Sequence, residues 1–121
     1  MALHNQLGKK GEEVAKDYLI HQGYHILESN WRCGRLELDI IADTPNNLVV
    51  VEVKTRRNSI FGNPVEAVTK NKIKRIVTAT QAYIRKHEIE LPVRFDIIAV
   101  LGTQAPYQIK HYPNAFYPPI S

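Results

Sequence analysis

The segment LELDIIADTPNNLVVVEVKTR, residues 36–56, constrains the fold more than any other stretch of the chain. Two runs rich in Leu, Ile and Val flank Asp43-Thr44-Pro45-Asn46-Asn47, whose Asp, Pro and Asn residues favour a tight turn. The runs therefore read as the two antiparallel strands of a hairpin, over residues 36–42 and 48–56. Side chains alternate along a strand, so Glu37 and Asp39 share one face while Leu36, Leu38 and Ile40 take the other. Glu52 and Lys54 likewise stand opposite Val49, Val51 and Val53. A hairpin closed about the centre of the turn sets Asp39 across from Glu52 and Glu37 across from Lys54.

Two carboxylates placed so are costly. Cross-strand neighbours bring like charges to about 5 Å, and at an effective dielectric of about 20 the repulsion is about 3 kcal/mol. A domain is held together by only about 5 to 15 kcal/mol, so the pair needs compensation. A hard divalent cation supplies it, because Mg²⁺ binds through one or two carboxylates together with waters and the phosphate oxygens of a substrate. The alternative is a solvated sheet face with Glu37 and Lys54 as a surface ion pair, since antiparallel sheets often leave one face wet.

The rest of the chain is read around this hairpin. Residues 4–22 repeat apolar and small residues at helical spacing, through Leu7, Gly8, Gly11, Val14, Ala15, Tyr18 and Leu19, and Gly23 ends the helix. Each glycine on that arc costs about 1 kcal/mol of helix propensity, which predicts a close approach to a neighbour. Glu12 sits at the edge of the arc, where it can face a site, whereas Glu13 points to water. A further strand is expected over 24–33, a second helix from Pro64 to His87, a buried strand in VRFDIIAVLG and a short last strand about 107–111. The order α-β-β-β-α-β-(β) belongs to one α/β domain with a mixed sheet. Its core runs from about 4 to 112, and the prolines of the tail at 113–121 keep that segment irregular.

A chain of 121 residues is one domain by length, and 44% hydrophobic with 23% charged residues is ordinary for a soluble globular protein. Apolar runs such as residues 48–51 are far too short to cross a bilayer, and the N-terminus carries no readable export signal. The single cysteine, Cys33, suits a reducing cytoplasm and reads as a small buried hydrophobe. The five histidines have no ligand spacing, and no serine stands in a nucleophile elbow. Trp31 beside Arg32 can stack on nucleic acid, but its large area makes a core position at the strand end the expectation.

The net charge of +4 points to an anionic partner. Its distribution matters more than its sum: Lys54, Arg56 and Arg57 precede one loop, and Lys70, Lys72, Lys74 and Arg75 follow it. On the second helix Lys72 lies inside the apolar arc, between Val65, Val68, Ile76 and Tyr83, while Lys70, Lys74 and Arg75 lie outside it. A lysine aimed at a sheet must meet a carboxylate or extend its ammonium to an opening.

Asp39, twelve intervening residues and then Glu52-Val53-Lys54 resemble the D-(x)n-E-x-K core of the PD-(D/E)xK nuclease superfamily. Together with GKKGEEVAKDYL, GYHILESNWR, LELDIIA, VVVEVKTR, FGNPVEAV, Lys72 and RFDIIAV, the pattern resembles the bacterial YraN-like family from about residue 8 to about residue 101. It is also similar to archaeal Holliday junction resolvases, in which a glutamate of the first helix joins the same triad. One departure is local: many relatives have Gly directly before the first sheet glutamate, where this chain has Leu36, with Gly34 earlier.

The resemblance implies a restriction-endonuclease-like αβββαβ core with a central mixed sheet flanked by helices. It also implies Mg²⁺ or Mn²⁺ held by Asp39, Glu52 and the carbonyl of Val53, with Glu12 as a further contributor. Lys54 would orient the attacking water, and Glu37 would support Lys54. Arg56, Arg57, Lys70, Lys72, Lys74 and Arg75 would contact the phosphates of nucleic acid, with DNA the first expectation, in a cytoplasmic and non-membrane setting. The implied activity is phosphodiester hydrolysis, structure-selective or nonspecific because nothing in the chain resembles a base-reading element. The dimeric state of the resolvases raises a homodimer. The alternative is a nucleic-acid-binding or scaffold protein that keeps the nuclease fold and turns nothing over.

Overall fold

The computed structural model describes residues 3–57 and 68–118, with side chains from residue 8 onward. Helix α1 (Leu3–His21) leads into strands β1 (His25–Cys33), β2 (Leu36–Asp43) and β3 (Leu48–Arg56). Helix α2 (Lys70–His87) then crosses to β4 (Val93–Leu101), and β5 (Gln108–Tyr112) completes the sheet. The five strands lie in chain order. Neighbours are antiparallel except β3 and β4, which run parallel and are joined through α2. The α/β class, the element order and the mixed sheet agree with the expectation from sequence.

Local chemistry sets the helix ends. Gly23 takes φ 93°, and the Tyr24 N–H and Gly23 N–H close on the carbonyls of Leu19 and Ile20, the paired bonds of a glycine-terminated helix. The Thr69 hydroxyl accepts the Lys72 N–H at 3.1 Å and caps α2, so the helix that carries Lys72 begins at Lys70, later than expected. Pro64 and Val65, used to place that start, lie outside the described residues.

The helices cover opposite faces of the sheet. Ala15 and Leu19 of α1 pack with Ile40, Val49, Val51, Ile98 and Val100, whereas Ile76, Ala79 and Tyr83 of α2 pack with Leu38, Ile41, Val50, Phe95 and Ile97. Trp31 meets Tyr83 edge-on at 5.2 Å on the α2 side, in the core role expected of it. A β-carbon at Gly11 would collide with the Thr55 side chain of β3, so this glycine is the close approach that α1 needs. Gly8 faces open space, and the same argument fails there. Cys33 is exposed and not buried, because it ends a strand at the edge of the sheet beside the Gly34-Arg35 turn. Among the described residues no helix is long and apolar enough to cross a membrane. The tail at 113–118 is irregular as expected, yet it docks: Phe116 stacks on Phe95 at 5.3 Å and the Ala115 N–H binds the Phe95 carbonyl at 2.7 Å.

The β2–β3 hairpin has the turn-centred register, with Ile40 opposite Val51 and Asp43 opposite Leu48. The strict alternation expected along β2 does not hold. Leu36 and Leu38 pack on the α2 side, but Ile40 packs on the α1 side and Ile41 on the α2 side again, so the facing changes at Asp39. At the same level β1 is irregular too. Ser29 pairs with Ile40 and Trp31 with Leu38, and Asn30 between them takes φ 52°, a left-handed conformation that Asn tolerates better than most residues.

Candidate active site

The β2–β3 ladder ends at Ile40 and Val51, one step short of Asp39 and Glu52. There a side chain takes over the role of the backbone, as Asp39 Oδ2 accepts the Val53 N–H at 2.9 Å. The bond aims the carboxylate into the opening between the strands and satisfies a donor that the ladder no longer serves. Glu52, 8% exposed at its side chain, converges on the same opening. Its Oε2 lies 3.5 Å from Lys54 Nζ and 3.4 Å from Lys72 Nζ. The lysine on the apolar arc of α2 thus does meet a carboxylate, while Lys70, Lys74 and Arg75 are exposed.

The electrostatics carry the mark of crowding. Burial, and then the charge and hydrogen bonding of Glu52, push the Asp39 carboxyl up to about 8 from its ordinary 3.8, against the lowering effect of the Val53 N–H. With its carboxyl pushed up to about 8, Asp39 holds its proton near neutrality, while Glu52 stands between the Lys54 and Lys72 ammoniums. Glu12, half-buried on α1, is also raised, first by burial and then by Glu37 and Glu52, while the Asn30 side chain and Lys16 favour its charged form. Glu12 thus faces the same centre, whereas Glu13 is exposed.

Glu37 departs from expectation. Its ion pair among the described residues is with Arg32 Nε, at 3.0 Å, and not with Lys54. The opening of the hairpin below Ile40 ends the direct facing that the register alone would give, and Arg32 lies opposite Glu37 on the other neighbour, β1. Arg56 closes β3, with its carbonyl accepting the Gly102 N–H at 2.9 Å, and Arg57 is exposed beyond it.

Asp39 and Glu52 offer oxygen ligands alone, the donor type that suits Mg²⁺ or Mn²⁺. Among the described residues no three acidic, imidazole or thiol groups form a ready-made cage. The donor set therefore fits an ion completed by water and substrate oxygens, with the Val53 carbonyl adjacent in sequence.

A second acidic centre escaped the sequence reading. Asp96 on β4 is fully buried, and it receives Arg94 Nε at 2.9 Å and Arg94 Nη2 at 2.8 Å. His111 Nε2 lies 2.7 Å from the same carboxylate, the Asn114 N–H donates at 3.2 Å, and Tyr18 Oη sits 3.1 Å from His111 Nδ1. An Asp in an otherwise apolar strand, with Arg two residues before it on the same face, was the available signal. His111 lacks metal-ligand spacing, and its role as partner of a carboxylate has no mark in the local sequence.

The model of the uncharacterised protein family UPF0102 matches residues 11–100, which include every residue of the acidic opening and both of its lysines. The chain belongs to the UPF0102 family. A UPF0102 protein of Phocaeicola vulgatus is 57% identical over 120 residues, covering 99% of both chains. Relatives from Bacteroides thetaiotaomicron and Porphyromonas gingivalis are 53% and 47% identical, the first over 99% of both chains, the second over 96% of this chain and 87% of its own. The UPF0102 match agrees with the YraN-like resemblance and covers the hairpin, α2 and the Asp96 strand alike.

Proposed function

We propose that this UPF0102 protein is a divalent-metal-dependent nuclease of the PD-(D/E)xK type that hydrolyses phosphodiester bonds in DNA. The observation that carries the reading is the convergence of Asp39 and Glu52 beyond the end of the ladder, with Lys54 and Lys72 on Glu52. An idle surface would separate two such carboxylates, and here the fold spends a side-chain to backbone bond holding one of them in place. Asp39 and Glu52 would hold Mg²⁺ or Mn²⁺, with Glu12 and the Val53 carbonyl as further oxygen donors. The ion supplies Lewis-acid polarisation of the scissile phosphate and a lowered pKa for bound water.

The remaining work falls to the chain itself. Lys54, 19% exposed, can orient a water and offset the negative charge that grows on the phosphorus oxygens. Lys72, 43% exposed, bridges Glu52 and solvent, a position from which it can hand its charge to an arriving phosphate. Lys70, Lys74, Arg75 and Arg57 are exposed and would hold the backbone without reading sequence. Glu37, tied to Arg32, would act on the site through charge alone.

One observation favours a second reading. Glu52 is already compensated by two ammoniums, so the opening can persist without an ion, as in a nucleic-acid-binding or scaffold protein without turnover. Cleavage of a panel of four-way, flapped and linear DNA with Mg²⁺ or Mn²⁺ separates the two. The nuclease reading expects cutting that Asp39→Asn and Glu52→Gln abolish. DNA binding with no cut substrate in either metal overturns it in favour of the scaffold.

A further inference from the structure

The phosphate contacts expected from sequence all lie at the end of β3 and on α2, but the other face of the sheet carries a cavity of its own. It has a volume of about 250 Å³ and lies between α1 and β1, lined by Lys9, Glu12, Glu13, Lys16, Ser29 and Asn30. The four helical residues stand three, four and seven positions along α1, which puts them on one stripe of its surface. Opposite them lie the irregular Asn30 and its neighbour Ser29, at the level where β2 changes facing at Asp39. The cavity therefore opens beside the carboxylate centre, with Glu12 common to both.

Its charges are not equally available. Glu13 is engaged by Lys10 at 3.7 Å, and the Glu12 carboxylate interacts with the Asn30 side chain. Lys9 and Lys16 have no ion-pair partner within 4.0 Å among the described residues, although Lys16 acts on Glu12 at longer range. Two ammoniums without close partners, a hydroxyl and an amide thus line, together with Glu12 and the Lys10-paired Glu13, an open cavity next to the centre where a phosphodiester would react.

We propose that this cavity seats a backbone phosphate of the bound nucleic acid, held by Lys9 and Lys16, so that the strand is gripped from the α1 face as well as from the α2 face. The proposal rests on the nucleic-acid reading above. It adds a second bank of contacts, so the carboxylate pair lies between two cationic flanks instead of at the border of one.

The test is binding of a fluorescent four-way DNA junction by anisotropy across a salt series, in EDTA so that no cleavage occurs. Each lost phosphate contact lowers the slope of log K against log salt by about 0.9, so the Lys9→Gln/Lys16→Gln double variant should lose between one and two contacts and bind about tenfold more weakly at low salt. Lys9→Arg/Lys16→Arg should restore both quantities. An Arg85→Gln/Lys86→Gln variant, with the same change in charge at the far end of α2, should keep the wild-type slope. If the Lys9/Lys16 variant matches this control, the cavity is not a phosphate seat and the functional reading stands. If the wild-type protein binds no junction, flap or linear DNA, both fall together. Unchanged thermal melting of the variants separates lost contacts from lost folding.

Discussion

Two buried acidic centres lie on one sheet and are built on opposite principles. Asp96 is surrounded by donors: two nitrogens of Arg94, the His111 ring and the Asn114 N–H. Burial alone would raise its pKa, but the His111 and Arg94 hydrogen bonds, the guanidinium charge and the Asn114 N–H outweigh it and hold the carboxyl below its ordinary range. Asp39 has one backbone donor and an acidic neighbour, and its pKa moves the other way. The first centre joins α1, β4, β5 and the start of the tail into one network. The second crowds two carboxyls at an opening between strands, and strongly shifted groups of this kind cluster at functional sites.

The largest expected effect comes from neutralising each centre in turn. Asp96→Asn removes the fully buried carboxylate that Arg94 and His111 both meet, and breaking a buried ion pair typically costs about 3 to 5 kcal/mol. For a chain of this size the melting temperature should fall by roughly 10 to 20 °C. Asp39→Asn should cost nothing or raise stability, since the Asn oxygen still accepts the Val53 N–H and the repulsion with Glu52 disappears. Thermal or urea denaturation of both variants at pH 8 checks this. Equal destabilisation by the two would erase the distinction.

The pH dependence should separate the centres next. An Asp39 carboxyl that titrates near 8 when folded and near 3.8 when unfolded binds its proton more tightly in the folded state. Stability of the metal-free protein therefore declines as pH rises through that window. Asp96, held low, has the opposite sign: its contribution is present above the ordinary carboxylate range and is lost as pH falls through its depressed folded value. In EDTA, wild type should melt lower at pH 8.5 than at pH 6, and Asp39→Asn should flatten the difference. On the proposed metal site Mg²⁺ would compete with the proton, so it should stabilise wild type more at pH 8.5 than at pH 6, by about 2.7 kcal/mol at a hundredfold excess over its Kd. A Mg²⁺ effect that Asp39→Asn leaves intact would remove the ion from this pair.

Much of this architecture is legible in the sequence. The hairpin register follows from the Pro45-Asn46-Asn47 turn and brings Asp39 and Glu52 to neighbouring positions, while the bond from the Val53 N–H to Asp39 beyond the ladder's end is a structural addition. Lys72 was found by its place on an apolar arc, where an ammonium needs a partner. Strand alternation failed at Asp39 because it assumes a regular pleat, and the left-handed Asn30 opposite is a tertiary choice that no local pattern announces. The Glu37 pairing failed for the same reason, since the expected neighbour is lost once the ladder opens and β1 offers Arg32 instead. Asp96 is readable as an anomaly in an apolar strand, but its network draws on segments far apart in the chain: His111 and Asn114 near the C-terminus bond Asp96 itself, and Tyr18 and Tyr24 near the N-terminus bond its partners His111 and Arg94.

The smallest effect tests the comparison at its cationic partners. Arg94, 20% exposed, and Lys72, 43% exposed, each face a buried carboxylate. Arg94 makes a bidentate pair in which both nitrogens reach Asp96, whereas Lys72 shares Glu52 with Lys54 at distances beyond direct hydrogen bonding. Solvent screens the more exposed lysine, so Lys72→Gln should cost less than about 1 kcal/mol, several times less than Arg94→Gln. The change should appear in titration instead. With one cation fewer beside Glu52, the acidic pair holds its proton more tightly, and the high-pH decline of stability in EDTA should move upward. A Lys72→Gln variant that melts like Arg94→Gln, with no shift in that decline, would make Lys72 a packing element of α2 and take it out of the acidic centre.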